Sequence, residues 1–276
     1  MPSAEPDLLP SDPQIPAPRS NRAALLDDLR ARIRRMEGLG GEGARTLPFG
    51  LPEIDGALPG GGLPLGCLHE VAGDEPGAAT AFAAGLLARL ASGAAPVVWV
   101  VRGRDLHAPG LAAYGLTPDR LIAVRATREA DALWAMEEAL RCRRLSAVLG
   151  EAGALDLTAS RRLQLAAESS GVTGVLLQLG PRRSAASAAV TRWRIAPASS
   201  QSPEPGVGDP RWSVALERCR GGRPGAWLLD WRDGALAEVA APGEIAKPAR
   251  TAPAPAPVPA PLIDRRAAIA AWANVA

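Results

Sequence analysis

Apolar and polar positions alternate along the chain in runs that predict one α/β domain between residues 45 and 240. Short apolar runs predict strands, and the longer runs between them have the 3.6-residue period of helices. The predicted elements, in chain order, are strand Leu68–Ala72, helix Pro76–Ser92, strand Pro96–Val101, helix Ala108–Tyr114, strand Leu121–Val124, helix Arg128–Arg144, strand Leu145–Leu149, helix Thr158–Ser170 and strand Val175–Leu179. This alternation predicts a mostly parallel sheet flanked by helices.

After Gly180 the pattern predicts strands and no further helix before residue 240. The extended segments are Ala189–Ala196, Trp212–Arg220, Gly225–Trp231 and Leu236–Val239. Asp233-Gly234, between the last two, is typical of a two-residue hairpin turn. We therefore predict an antiparallel extension at the C-terminal side of the sheet.

The two ends of the chain differ from this core in composition. Residues 1–19 are rich in Pro, Ser and Asp and are predicted to be disordered, and residues 241–261 form a stiff Ala-Pro linker. Residues 20–37 and 262–276 each predict an amphipathic helix. Their apolar stripes contain Leu25, Leu29, Ile33 and Met36 in the first and Ile269 and Trp272 in the second. We interpret both stripes as candidate partner-docking surfaces, with docking on the chain's own core as the alternative.

The composition of the chain argues against several kinds of binding site. A formal net charge of +2 is too balanced to indicate nucleic-acid binding by itself. The three cysteines are widely spaced and form no CxxC pair, so they predict neither a disulfide framework nor a zinc site. The sequence has no apolar stretch that predicts a membrane span. We therefore expect a cytoplasmic protein that binds no metal and no membrane.

One strand-to-helix junction has the pattern of a phosphate-binding loop that lacks its key residues, a degenerate Walker A motif. In the pattern GxxxxGK[ST], backbone N–H groups cradle phosphates, the lysine contacts the outer phosphates and the hydroxyl binds Mg²⁺. Here alanines replace the second glycine and the lysine. The candidate residues are Gly73, Asp74, Glu75, Gly77, Ala78, Ala79 and Thr80. We predict that ATPase activity is absent or vestigial, that no cofactor is required and that ATP-Mg²⁺ binds weakly or not at all.

The strings around this junction resemble the RecA core and, within that superfamily, the ImuA-type family. They are LPFGLPEID at 47–55, LPGGGL at 58–63, HEV at 69–71, YGLTPDRLI at 114–122 and WLLDW at 227–231. The resemblance covers about residues 45–239. It implies a RecA-like fold of the P-loop NTPase type. It also implies a role in error-prone translesion DNA synthesis, because ImuA-type proteins act in the bacterial SOS response to DNA damage.

The resemblance also implies partners and site positions. Family members work with ImuB, a Y-family-polymerase-like protein, and with an error-prone replicative-type DNA polymerase; contacts with RecA and with DNA stay open. The Mg²⁺-positioning carboxylate of RecA-like enzymes falls near Glu151, a vestigial Walker B position, and the water-activating carboxylate falls near Gly103. Candidate contacts with DNA or a partner are Arg182, Arg183, Arg192, Arg194, Arg218 and Arg220.

Three functions compete at this point. The leading interpretation is a non-catalytic adaptor of translesion synthesis. The alternatives are an ATP-dependent RecA-like recombination or repair enzyme, and a SulA-like inhibitor of cell division. Ala79 argues against the enzyme, and the long antiparallel extension argues against the shorter SulA-like proteins. Three further residues, Cys67, His69 and Trp193, are interpreted as buried structural residues.

Overall fold

The computed structural model describes residues 45–91, 95–103, 106–153, 155–180, 186–200 and 208–239. The segments predicted at residues 1–19, 20–37, 241–261 and 262–276 lie outside these ranges, and so do the two apolar stripes. Their structures therefore stay predictions. The described ranges lie within the predicted RecA-like core, residues 45–240.

Eleven strands and five α-helices occupy the described part of the chain. The strands are β1 Thr46–Leu47, β2 Leu63–Pro64, β3 Leu68–Gly73, β4 Val97–Val101, β5 Leu121–Arg125, β6 Ala147–Glu151, β7 Thr173–Leu179, β8 Thr191–Pro197, β9 Arg211–Cys219, β10 Gly225–Arg232 and β11 Ala235–Glu238. The helices are α1 Pro52–Ala57, α2 Pro76–Leu90, α3 Ala108–Ala112, α4 Glu129–Leu140 and α5 Leu157–Ser170. Each strand and helix predicted in this part is present, with its ends shifted by a few residues.

Nine of these strands form one sheet in the order β11-β10-β9-β8-β3-β7-β6-β4-β5. Six strands run parallel to one another: β8, β3, β7, β6, β4 and β5. The strands on the other side of β8 continue the sheet in antiparallel pairs, β8 with β9, β9 with β10 and β10 with β11. The prediction that the antiparallel extension begins with Ala189–Ala196 is wrong, because β8 runs parallel to β3. After β7 the chain crosses to the other side of β3 before it enters β8 in the same direction, as crossover connections do.

Alternating side chains of the parallel strands point to two separate cores. Along β4, Val97, Trp99 and Val101 face the core that contains α2, whereas Val98 and Val100 face the core that contains α4 and α5. Both faces of the strand are buried, which explains why its sequence is continuously apolar.

A cluster of aromatic rings joins the antiparallel strands to α2. Neighbouring ring centroids lie 5.5 to 6.4 Å apart. The members are Phe49, Phe82, Tyr114, Trp193, Trp212, Trp227 and Trp231. The fully buried Trp193 lies within this cluster, so its prediction as a core residue is confirmed. The cluster buries the α2-facing side of the antiparallel extension.

A buried ion pair links β9 to β10. Arg211 Nε lies 2.5 Å from Asp230 Oδ1, and Arg211 Nη2 donates to Asp230 Oδ2 at 3.0 Å. These hydrogen bonds keep the pKa of Asp230 below its usual value. Both side chains are almost completely buried. Asp230 Oδ2 also lies 2.6 Å from Arg232 Nη2, so it is the removal of Asp230 that leaves a buried charge, the Arg211 guanidinium, without an ion partner.

We expect Asp230→Ala to lower the free energy of unfolding by about 3–5 kcal/mol, because it leaves the Arg211 guanidinium buried in the sheet without its carboxylate partner. Asp209→Ala is the matched control: Asp209 pairs with Arg232 at 3.0 Å, but both side chains are about half exposed. An exposed pair is worth at most about 1 kcal/mol. Urea denaturation measures both variants, and equal losses would contradict this interpretation of the pair.

Candidate functional site

The connection from β3 to α2, where the degenerate phosphate loop was predicted, consists of two residues. Strand β3 extends through Gly73, and α2 begins at Pro76 after Glu75 as its N-cap, so only Asp74 and Glu75 lie between them. The candidate residues from Gly77 to Thr80 therefore lie in α2, whose start at Pro76 was predicted, and not in a loop. Proline is well suited to the first helical position, where its missing N–H is not needed. Pro76 therefore starts α2 directly after Glu75.

The position that holds lysine in a working phosphate loop is buried in the core. Ala79 is 0% exposed and Ala78 is also buried. A Cβ atom built on Gly73 would lie 2.7 Å from the Ala79 Cβ, so helix and strand approach each other closely here. The Thr80 side chain is half-buried. The close packing leaves little room between β3 and α2 for a side chain longer than that of Ala79.

Asp74 pairs with a cation from the neighbouring strand. Arg194 Nη1 on β8 lies 3.2 Å from both Asp74 carboxylate oxygens. The same guanidinium donates through Nε to Glu217 Oε1 at 3.0 Å. Asp74 thus pairs with Arg194, and Glu75, the N-cap residue of α2, makes no side-chain cap hydrogen bond.

Both carboxylate oxygens of Glu151 accept hydrogen bonds at the end of β6. Oε1 accepts from Trp99 Nε1 at 2.9 Å, and Oε2 accepts from the backbone N–H of Arg102 at 3.0 Å. Glu151 thus lies at the strand end predicted for the Mg²⁺-positioning residue. Its contacts join β6 to the end of β4, which is a structural use of the carboxylate.

Three other candidate arginines also have partners inside the protein. Arg192 Nε on β8 lies 2.6 Å from Glu70 Oε2, a nearly buried carboxylate on β3. Arg218 and Arg220 donate to the backbone carbonyls of Ser187 and Ala188, at 2.8 and 3.2 Å. These contacts attach the segment before β8 to the end of β9.

Arg182 and Arg183 lie outside the described residues. Contact of these arginines with DNA or a partner stays a prediction.

His69 is a completely buried, hydrogen-bonded side chain. Its Nδ1 lies 2.7 Å from Thr191 Oγ1 and its Nε2 lies 2.9 Å from the carbonyl of Pro64. Burial lowers the pKa of His69 to about 4, and burial raises the pKa of the neighbouring Cys67 thiol to about 12. The ring is therefore neutral at pH 7, and the prediction of a structural histidine is confirmed.

Comparisons with known proteins identify the family. Two curated relatives, each named Protein ImuA and each from a strain of Caulobacter vibrioides, are 51% identical to the chain over 209 residues. The match covers 68% of the chain and 85% of the relative. The chain belongs to the ImuA family. This confirms the resemblance seen in the sequence and supports involvement in SOS mutagenesis and translesion synthesis.

A solved structure supports the fold independently of the relatives. A KaiC-like protein from the hyperthermophilic archaeon Pyrococcus horikoshii superposes with a TM-score of 0.50 at 16% identity, over 71% of the chain and 100% of that protein. Together with the sheet order, this likeness confirms the RecA-like α/β fold. No protein-family model matches the chain.

Several residues at this site were not predicted from the sequence. Glu70 and Glu217 were not recognised as arginine partners, although a charged residue inside the buried strand β3 was a signal for Glu70.

Among the described residues, no helix has the length and apolarity to cross a membrane, and no group of three or more His, Cys, Asp or Glu side chains has a metal-binding arrangement.

We expect Ala79→Lys to leave ATP binding undetectable and to destabilise the fold by about 3 kcal/mol, because the new ammonium would enter the core. Gly77→Lys is the control, since a Cβ at this exposed helical position meets no atom within 4 Å. Thermal unfolding and calorimetry with ATP-Mg²⁺ measure the two effects. A stable Ala79→Lys variant with micromolar ATP affinity would show that the phosphate site is intact except for the lysine.

Proposed function

We propose that this ImuA-family chain is a non-catalytic adaptor of error-prone translesion DNA synthesis. In this proposal it binds an ImuB-like Y-family protein and an error-prone replicative-type DNA polymerase. The burial of Ala79 against β3 is the observation that supports the non-catalytic part most directly. Membership of the ImuA family supports the pathway and the class of partners.

Electrostatics supports the absence of phosphoryl transfer. Transfer of a phosphoryl group requires cationic groups that neutralise the charge developing on its oxygens. The loop itself supplies no cation, since Ala79 replaces the lysine. Arg194 reaches the loop from β8, but Asp74 and Glu217 already share its guanidinium. A phosphate would have to compete with these two carboxylates for that cation.

The contacts of the arginines favour protein partners over DNA as the main ligands. Arg192, Arg194, Arg218 and Arg220 each have an intramolecular acceptor, so DNA contact through them would have to replace or share existing interactions. A RecA-like sheet whose strand-to-helix loop has no lysine is consistent with a scaffold that displays docking segments. The apolar stripes outside the described residues provide candidates for such docking.

We expect calorimetry with ATP-Mg²⁺ to give no heat at micromolar nucleotide, because the loop lacks the lysine and is too short to surround a phosphate chain. A release assay for inorganic phosphate should give the same rate for the unaltered chain and for Thr80→Ala. Low-micromolar ATP affinity, or turnover that Thr80→Ala abolishes, would contradict the non-catalytic proposal.

We expect deletion of residues 262–276 to weaken binding of the ImuB-like partner about thirtyfold, since loss of a buried tryptophan anchor such as Trp272 typically costs about 2 kcal/mol. Residues 241–261, before this segment, lie outside the described residues and are predicted from their composition to be a stiff Ala-Pro linker. The melting temperature should not change. Partner affinity is measured by surface plasmon resonance. It should fall as much in Trp272→Ala as in the deletion variant, and it should not fall in Asn274→Ala.

A deletion that lowers the melting temperature would instead make residues 262–276 a packed part of the fold. Unchanged affinity after the deletion would remove this segment from the partner interface.

A further inference from the structure

An open groove lies between α4 and α5, on the sheet face opposite α2. Its volume is about 320 Å³. Most of its lining is apolar and includes Ala130 and Trp134 on α4 and Ala159 and Leu163 on α5. The charged residues that line it are Glu137 and Arg162. The groove therefore has room for one large apolar side chain from outside.

Trp134 is the most exposed large apolar residue in the described part of the chain. It is 64% exposed, whereas the five other tryptophans that the structure describes are 8% exposed or less. Leu165 of α5, one helical turn beyond Arg162, is 57% exposed. Tryptophan is enriched at protein interfaces because it buries a large apolar area there. The outer face of α4 and α5 thus carries both a projecting apolar side chain and a groove.

The charged residues around the groove already have partners within the chain. Glu137 on α4 pairs with Arg162 on α5, and it also pairs with Arg141 at 2.6 Å. Glu138 pairs with Arg141 at 2.8 Å. A polyanion such as nucleic acid requires free cationic groups, whereas the charges of these two arginines are already balanced. An apolar protein surface can cover this face without leaving a buried charge unpaired.

We propose that this face is the interface of a two-fold dimer, in which Trp134 of each copy enters the groove of the other. A two-fold interface brings the same patch of both copies together, so the patch has to be complementary to itself. A projecting tryptophan beside a groove of suitable size meets this condition. The inference is independent of the proposed adaptor function.

The size of the face predicts a weak dimer. Helix α4 has 12 residues. At 1.5 Å per residue it is about 18 Å long, and two helices side by side are about 20 Å wide. Covering this face in both copies removes on the order of 1,000 Å² of accessible surface, which is the lower limit for a specific interface. We therefore expect monomer and dimer to be in equilibrium at micromolar protein concentrations.

Sedimentation equilibrium of the purified full chain measures this dimer. Loss of a central tryptophan costs about thirtyfold in affinity, and the dimer of Trp134→Ala has lost two, so we expect it to be about a thousandfold weaker. Ala130→Arg should abolish the dimer as well, because a long charged side chain fills the groove. Ile122→Ala is the matched control, since Ile122 is 46% exposed but lies on β5, and it should dimerise like the unaltered chain. Thermal unfolding checks that each variant keeps the fold.

A mixture of the two variants tests the two-fold arrangement itself. Trp134→Ala keeps an open groove, and Ala130→Arg keeps its tryptophan. A mixed pair can form one of the two tryptophan–groove contacts, whereas neither variant can form one with itself. With one variant fluorescently labelled, we expect the mixed pair to bind about thirtyfold more tightly than either variant binds itself.

The results that would overturn the proposal are equally definite. They are a monomer mass throughout the micromolar range, a dimer that Trp134→Ala leaves intact or that Ile122→Ala weakens equally, and a mixed pair no tighter than the variants alone. If the unaltered chain is a monomer and Trp134→Ala weakens its binding to the ImuB-like partner, the groove belongs to that partner and the proposal is wrong.

Discussion

The close approach of α2 to β3 is the packing constraint on which the rest of this structure depends. A Cβ atom on Gly73 would lie 2.7 Å from the Ala79 Cβ, so the approach requires a glycine at position 73. Further along the same helix, Gly85 lies against the indole of Trp231, so a small residue again allows the aromatic cluster to pack closely. This packing buries Ala79, the residue at which the phosphate-loop pattern would require lysine.

Charged groups of the protein itself occupy the edge of the sheet where RecA-like enzymes bind nucleotide. Arg194 neutralises Asp74 and Glu217, and Glu151 uses its two oxygens to join β6 to the end of β4. These contacts give each of the four charged side chains a partner within the protein.

The periodic pattern predicted most of the sheet and its helices because each element buries one face or both. It could not predict the direction of β8, since parallel and antiparallel strands bury the same residues. It placed the start of α2 at Pro76, a typical first residue of a helix, as the structure has it. The arginine pairs were also missed, because Glu70 and Arg192 are 122 residues apart and meet only when β3 and β8 pair.

We propose that the nucleotide site has become part of the scaffold, so that function survives without its remaining polar residues. The most direct test measures damage-induced mutation frequency in cells whose only copy carries Thr80→Ala together with Glu151→Gln. Gln keeps one acceptor oxygen and so can retain one of the two hydrogen bonds that Glu151 accepts, and immunoblotting checks protein abundance. We predict the mutation frequency of the unaltered chain. A fall to the frequency of a deletion strain, at unchanged abundance, would contradict the claim.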